Sequence, residues 1–127
     1  MTGKKSHDIA VSVQTEFLDD QSKPLDNHYV FSYTITLHNR GTVAARLLSR
    51  HWLITDGNGE VREVRGEGVV GEQPRMNPGE GYEYTSGAVL ETSVGTMSGS
   101  YHMIGDDGTQ FEADIPSFVL SIPRTLH

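Results

Sequence analysis

Hydrophobic and polar positions first fall into a regular pattern at residues 7–17, HDIAVSVQTEF, where Ile9, Val11, Val13, Thr15 and Phe17 alternate with mostly polar neighbours. A period of two places those five on one side of an extended backbone, which is the mark of a half-buried strand. The pattern returns in HYVFSYTITLH: Tyr29, Phe31, Tyr33, Ile35 and Leu37 share one face, while Ser32, Thr34 and Thr36 share the other. Aromatic and β-branched side chains suit that pleated surface. Between the two runs, LDDQSKPLDN is polar and rich in turn formers. The next run, TVAARLLSRHWLIT, fits two periods, because Ala44, Leu47, Leu48, His51 and Trp52 also match helical spacing. A strand at least from Leu48 to Thr55 is the better assignment. DGNG at 56–59 is a tight-turn sequence and EVREV follows it at once, so a hairpin there needs a strand on its first side.

Further strands are expected in GYEYTSG, GTMSGSYHMI, TQFEADI and SFVLSI. GDDG at 105–108 reads as a second hairpin turn, and Pro116 is expected to separate the last two strands. Pro74 and Pro78 flank RMN and leave no room for a helix of any length. Seven or eight short strands with frequent turns and no convincing helix predict an all-β fold, an antiparallel immunoglobulin/fibronectin type III-like β-sandwich. Trp52 falls on the third strand, where such sandwiches often bury a tryptophan. The 127 residues suit one domain, with flexible ends expected at 1–6 and 124–127.

Composition narrows the chemistry. With no cysteine, disulfides, thiolate metal sites and cysteine nucleophiles are excluded. Seventeen acidic against ten basic side chains give a net charge of −7, and no basic block is present, so binding to nucleic acid is disfavoured. No secretory h-region or membrane-length apolar run occurs, and a soluble cytoplasmic protein is expected.

Residues 64–74, VRGEGVVGEQP, place Gly66, Gly68 and Gly71 in the spacing G-x-G-x-x-G. In dinucleotide-binding folds those glycines open a helix whose N–H groups hold a pyrophosphate. Here no helix is expected to follow, and the surroundings are rich in glutamate. The glycines read instead as sites of positive φ or close backbone approach in a long loop. Anion or nucleotide contact through backbone N–H groups stays open as a second reading.

His7, His28, His38, His51, His102 and His127 show no metal-ligand spacing, although LDD at 18–20 and GDD at 105–107 offer oxygen ligands for a divalent cation. No local signature positions a nucleophile, no cofactor motif is complete, and no catalytic residue is assigned. Tyr82, Tyr84, Tyr101 and Phe111 lie on predicted strands and are assigned to the core. If exposed beside arginines they would instead suit a protein-binding surface.

Taken together and in order, YVFSYTITLHN, HWLITDGNGEVREVRGEGVVGEQPRMNPGEGYEYTSGAVLET, GTMSGSYHM and FEADIPSFVLSIP resemble the bacterial ApaG family, also called CorD. The resemblance runs from about residue 8 to residue 123. It implies a fibronectin type III-like or immunoglobulin-like sandwich and brings an association with cobalt resistance and magnesium efflux. It also brings proximity to a diadenosine tetraphosphate hydrolase in some operons. Similar domains attached to F-box proteins and to a DNA polymerase delta-interacting protein imply a protein-interaction module, with Co²⁺ or Mg²⁺ as a possible link and no established catalytic residue. The family's glycine motif falls on Gly66, Gly68 and Gly71.

Overall fold

In the computed structural model, which describes residues 5–123, the alternating runs become eight β-strands in two antiparallel sheets. One sheet has the order β1 (Ile9–Phe17), β2 (Tyr29–Asn39), β6 (Gly81–Leu90). The other has the order β4 (Val61–Glu67), β3 (Ala45–Asp56), β7 (Val94–Gly105), β8 (Gln110–Ser121), with the two-residue β5 (Arg75–Met76) also paired to β3. Residues 1–4 and 124–127, which hold most of the expected flexible ends, lie outside the described residues. Lys5 and Ser6 are held, their carbonyls accepting the N–H groups of Thr42 and Val43. Helical structure among the described residues is confined to two 3-10 turns, Asp19–Gln21 and Pro24–Asp26, in the polar connection.

Two strands carry irregularities that the pattern did not announce, each for a local reason. β3 spans the expected Leu48–Thr55 and extends back to Ala45, and its register with β7 shifts between Leu47 and Ser49. Ala45 and Leu47 face the core before this bulge, and Trp52 and Ile54 face it afterwards. An extra residue in a strand reverses which positions point inward, and that reversal imitated a helical period over Ala44–Trp52. β8 is continuous through Pro116, correcting the predicted break. Its register with β7 shifts at this point, Ile115 pairing with Gly99 and Phe118 with Met97. Pro116 therefore sits in a bulge of a strand that ends its sheet, where a missing N–H costs no ladder bond.

The core is aromatic at its centre. Trp52 is 2% exposed, with the rings of Tyr33 at 5.3 Å and Phe118 at 5.9 Å in edge-on or near edge-on contact. Such contacts add to the area term that already makes a buried tryptophan worth several kcal/mol. The hydroxyls of Tyr84 on β6 and Tyr101 on β7 hydrogen-bond across the space between the sheets. Burial pushes both phenols well above the ordinary tyrosine range, so both stay neutral. Tyr82 and Phe111 are half-buried at the margin of this core.

Asn39 ends β2 and is fully buried with its amide satisfied. Its Nδ2 donates to the carbonyls of Val43 and Met76, each at 3.0 Å, and its Oδ1 accepts from Gly41 N–H at 2.9 Å. Its backbone bonds Glu80 and Gly79. One side chain thus fastens β2, the crossing to β3 and the loop after β5. Asn39→Ala leaves the Gly41 N–H and the Val43 carbonyl without partners and the Met76 carbonyl with only its β3 partner, and should cost about 2 kcal/mol, read from the urea midpoint at unchanged m-value. A loss under about 1 kcal/mol would show that water replaces the amide.

His7 reaches the β7–β8 turn, its Nε2 lying 2.9 Å from Asp107 Oδ2 and its ring 5.0 Å from Phe111. The Thr109 N–H, and then His7, hold the Asp107 carboxyl below the usual carboxylate range. A folded value below the unfolded one gives stability that is present above the unfolded value and lost as pH falls through the folded one. Protection of the Thr109 amide against exchange should therefore decline selectively on the acid side of that range, while the Ile35 amide in β2 keeps its protection.

Candidate functional site

Where β3 bulges, its edge changes partner: β4 covers Ser49–Thr55, and β5 covers Ala45 and Arg46. The glycine segment is the excursion between those two short partners. It is pinned at Leu48, whose carbonyl accepts both Gly68 N–H at 2.8 Å and Gln73 Nε2 at 2.9 Å, while Leu47 N–H bonds Pro74.

Gly66 lies within β4, not in the loop where the sequence placed it. It pairs with Arg50, and a Cβ there would stand 2.7 Å from the Arg50 guanidinium carbon. The missing side chain lets that guanidinium lie against the strand, with Nη1 donating to the carbonyls of Glu67 (3.0 Å) and Gly68 (2.8 Å). Gly68 has φ +62, and a Cβ there would collide with the Glu72 carbonyl. Val69 and Glu72 exchange both backbone hydrogen bonds, at 2.8 and 2.9 Å. Between them Val70 (φ +49) and Gly71 (φ +80) both occupy left-handed backbone, as a type I′ turn requires. Glycine takes that conformation freely, whereas a β-branched residue there is strained. Val69 is fully buried, while Val70 is 63% exposed at the tip. No helix follows, so the dinucleotide geometry is absent.

Beneath the turn lies a recess of about 320 Å³ lined by Tyr33, Arg50, Val70, Gly71, Tyr84 and Ser86 among others. Among the described residues the Val70 and Gly71 amides have no hydrogen-bond acceptor. The residues that line the recess therefore bring a guanidinium, the acidic Glu67, two unpaired amides and hydroxyls. Burial raises the Tyr84 hydroxyl above the ordinary tyrosine range, so it stands in this recess as a neutral hydroxyl.

The recess opens onto one side of the sandwich. On the other side β1 rests against β8. Here the sheets end at β6 and β4 and are bridged by Arg62, whose Nη2 donates to Val89 O at 2.7 Å. Val64 pairs with Trp52 and so faces inward, yet it is 37% exposed. Val61, Val70 and Val89 along this seam are 59%, 63% and 40% exposed.

The histidines do not converge. His51 lies on the outer face of β3, 3.3 Å from Glu63, whose carboxyl Arg65 and then His51 hold below its usual range. His102 meets Gln110 at 2.8 Å, and His28 and His38 are exposed. His127 lies outside the described residues. Of the acidic turns, Asp106 binds Arg75 and Asp107 binds His7. Among the described residues, the carboxylates that do converge are Asp56, Glu60 and Glu91, with oxygens within 4.8 Å of one another and no histidine. Asp56 Oδ1 already accepts the Asn58 and Glu60 N–H groups.

An ApaG domain model matches residues 19–105. The chain belongs to the ApaG family. A protein ApaG of Azoarcus sp. strain BH72 is 58% identical over 127 residues, the whole of both chains, and one of Stenotrophomonas maltophilia strain K279a is 60% identical over 119 residues, 94% of each. A solved structure described as an ApaA protein of Bordetella pertussis superposes with TM-score 0.94 at 50% identity, covering 97% of this chain and 100% of that one. An Archaeoglobus fulgidus protein at TM-score 0.52 and 11% identity shares the fold alone. What sequence reasoning missed in this ApaG-family domain was Arg50, whose inward aim depends on a bulge that the residue pattern does not mark. An arginine placed opposite a glycine across the DGNG hairpin was the available signal.

Val70→Asn supplies the preferred first residue of a type I′ turn before Gly71 and should stabilise the fold by about 1 kcal/mol. Gly68→Ala should destabilise it by more than about 2 kcal/mol. Paired thermal or urea unfolding checks both, and a destabilising Val70→Asn would mean that Val70 contributes packing exceeding its strain.

Proposed function

We propose that this ApaG-family domain is a non-enzymatic, cytoplasmic protein-interaction module whose working surface is the open seam between β6 and β4. The observation that carries the reading is apolar surface left open at this seam, where Val64 pairs with Trp52 yet stays 37% exposed and Val70 stands 63% exposed at the rim of a recess it helps to line. Apolar side chains grouped on a surface are favoured where a partner will cover them. The family's association with cobalt resistance and magnesium efflux then reaches the cell through the protein that docks, not through metal held here. A photoreactive residue at Val64 or Val70 should crosslink a discrete protein in cells, whereas one at exposed His38, on the outer face of β2, should not. Equal patterns from both positions would overturn the reading.

A second reading keeps Gly68 and Gly71 as an anion loop and is favoured by the unpaired Val70 and Gly71 amides beside Arg50. Gly66 serves it only indirectly, by admitting the arginine. Pyrophosphate at millimolar concentration should then shift the Val70 and Gly71 amide resonances, and silence there would end it.

A further inference from the structure

The seam has a direction. Val89 O accepts from Arg62, so the Val89 backbone points away from β2. In an antiparallel strand a residue's N–H and C=O point to the same side, and the side alternates. Glu83, Thr85 and Gly87 therefore present an unpaired edge on the same side as Val89, and Gly87 has no side chain to screen it. At the Ser86 end of this edge lies the recess with Arg50 and the free Val70 and Gly71 amides. At the Glu91 end lies a second recess, of about 330 Å³, lined by Asp26, Asp56, Glu60, Val89 and Glu91 among others. Five residues of strand separate Ser86 from Glu91, about 17 Å.

We infer that the β6 edge receives the carboxyl-terminal segment of a partner protein as an added antiparallel strand, its terminal carboxylate at Arg50 and the Val70–Gly71 turn and a lysine or arginine four residues upstream at Asp56, Glu60 and Glu91. The inference rests on the protein-binding reading above and names its occupant from charge: the recess near Ser86 sets Arg50 and two unpaired amides beside Glu67, whereas the recess near Glu91 sets Asp26, Asp56, Glu60 and Glu91 against Arg62 and His28 and is much the more acidic. Strand addition supplies main-chain hydrogen bonds, and capture of a terminal carboxylate by a backbone concavity is a recurrent mode of peptide recognition. Opposite Thr85, Gly87 and Val89 stand the last, third-last and fifth-last residues of the peptide, on the outer face. The residues between them turn inward, over Val64. Those two are apolar in a well-matched peptide, and Arg62 leaves Val89 O as the strand arrives.

The probe is the pentapeptide acetyl-Lys-Val-Thr-Val-Ser with a free carboxylate, titrated into ¹⁵N-labelled protein. The expected result is saturable shifts at Thr85, Gly87, Val70 and Gly71. Affinity should fall about tenfold or more with a carboxamide terminus, with glutamate in place of lysine, or with an N-methyl group on the threonine, which removes its hydrogen bond to Gly87. These changes leave the protein untouched, so misfolding cannot account for them. Absence of shifts at millimolar peptide, indifference to amidation or N-methylation, or sedimentation showing the β6 edge already occupied by a second copy would each overturn the inference. So would pyrophosphate displacing the peptide from Val70 and Gly71 while the amidated peptide binds equally well, since the recess would then be a phosphate site alone. If the Val64 crosslink persists while the peptide fails, this inference falls and the broader interaction reading stands.

Discussion

One extra residue in β3, at Leu48, sets the geometry of the seam. By changing the phase of the strand it turns Trp52 and Ile54 into the core and aims Arg50 along the same face, toward Gly66 and the loop carbonyls. By breaking the ladder it leaves the Leu48 carbonyl free to anchor the glycine excursion from two directions. A regular strand would carry arginine out to solvent and leave the turn at Val70 without a foundation. Bulges commonly re-aim side chains beside functional surfaces in this way.

The two sides of the sandwich solve the problem of sheet edges differently. On one, β1 and β8 lie together, and β8 carries Pro116 in a bulge, which makes poor material for pairing with another chain. On the other, the closure is a single arginine donating to a strand carbonyl and a strained two-residue turn. Asn39 and the Tyr84–Tyr101 hydroxyl pair hold the frame behind that weaker side.

The fold was legible because its information is local and periodic. Phe31, Tyr33, Ile35 and Leu37 are buried as their alternation required, and DGNG and GDDG are the turns their glycines suggested. The break at Pro116 was misread, and the helical spacing over Ala44–Trp52 left β3 ambiguous, for one reason: both lie at bulges, and a bulge changes phase without any residue type of its own. The candidate site was less legible. Three glycines marked the right stretch, but the sequence gives no sign that they do different things, Gly66 yielding space to Arg50, Gly68 avoiding the Glu72 carbonyl and Gly71 completing a turn. Asp56, Glu60 and Glu91 come together from a turn and the end of β6, a convergence fixed by sheet packing that no spacing could reveal.

The contact between β1 and β8 also orders events during synthesis. β1, with Ile9, Val11, Val13 and Phe17 packed toward the core, leaves the ribosome shortly before β2, but the strand lying beside it in the other sheet spans residues 110–121. At typical elongation rates that delay is on the order of ten seconds. Throughout that interval the nascent chain carries an apolar strip with half its shelter missing, so the time of greatest vulnerability for this domain comes before its last strand has been made.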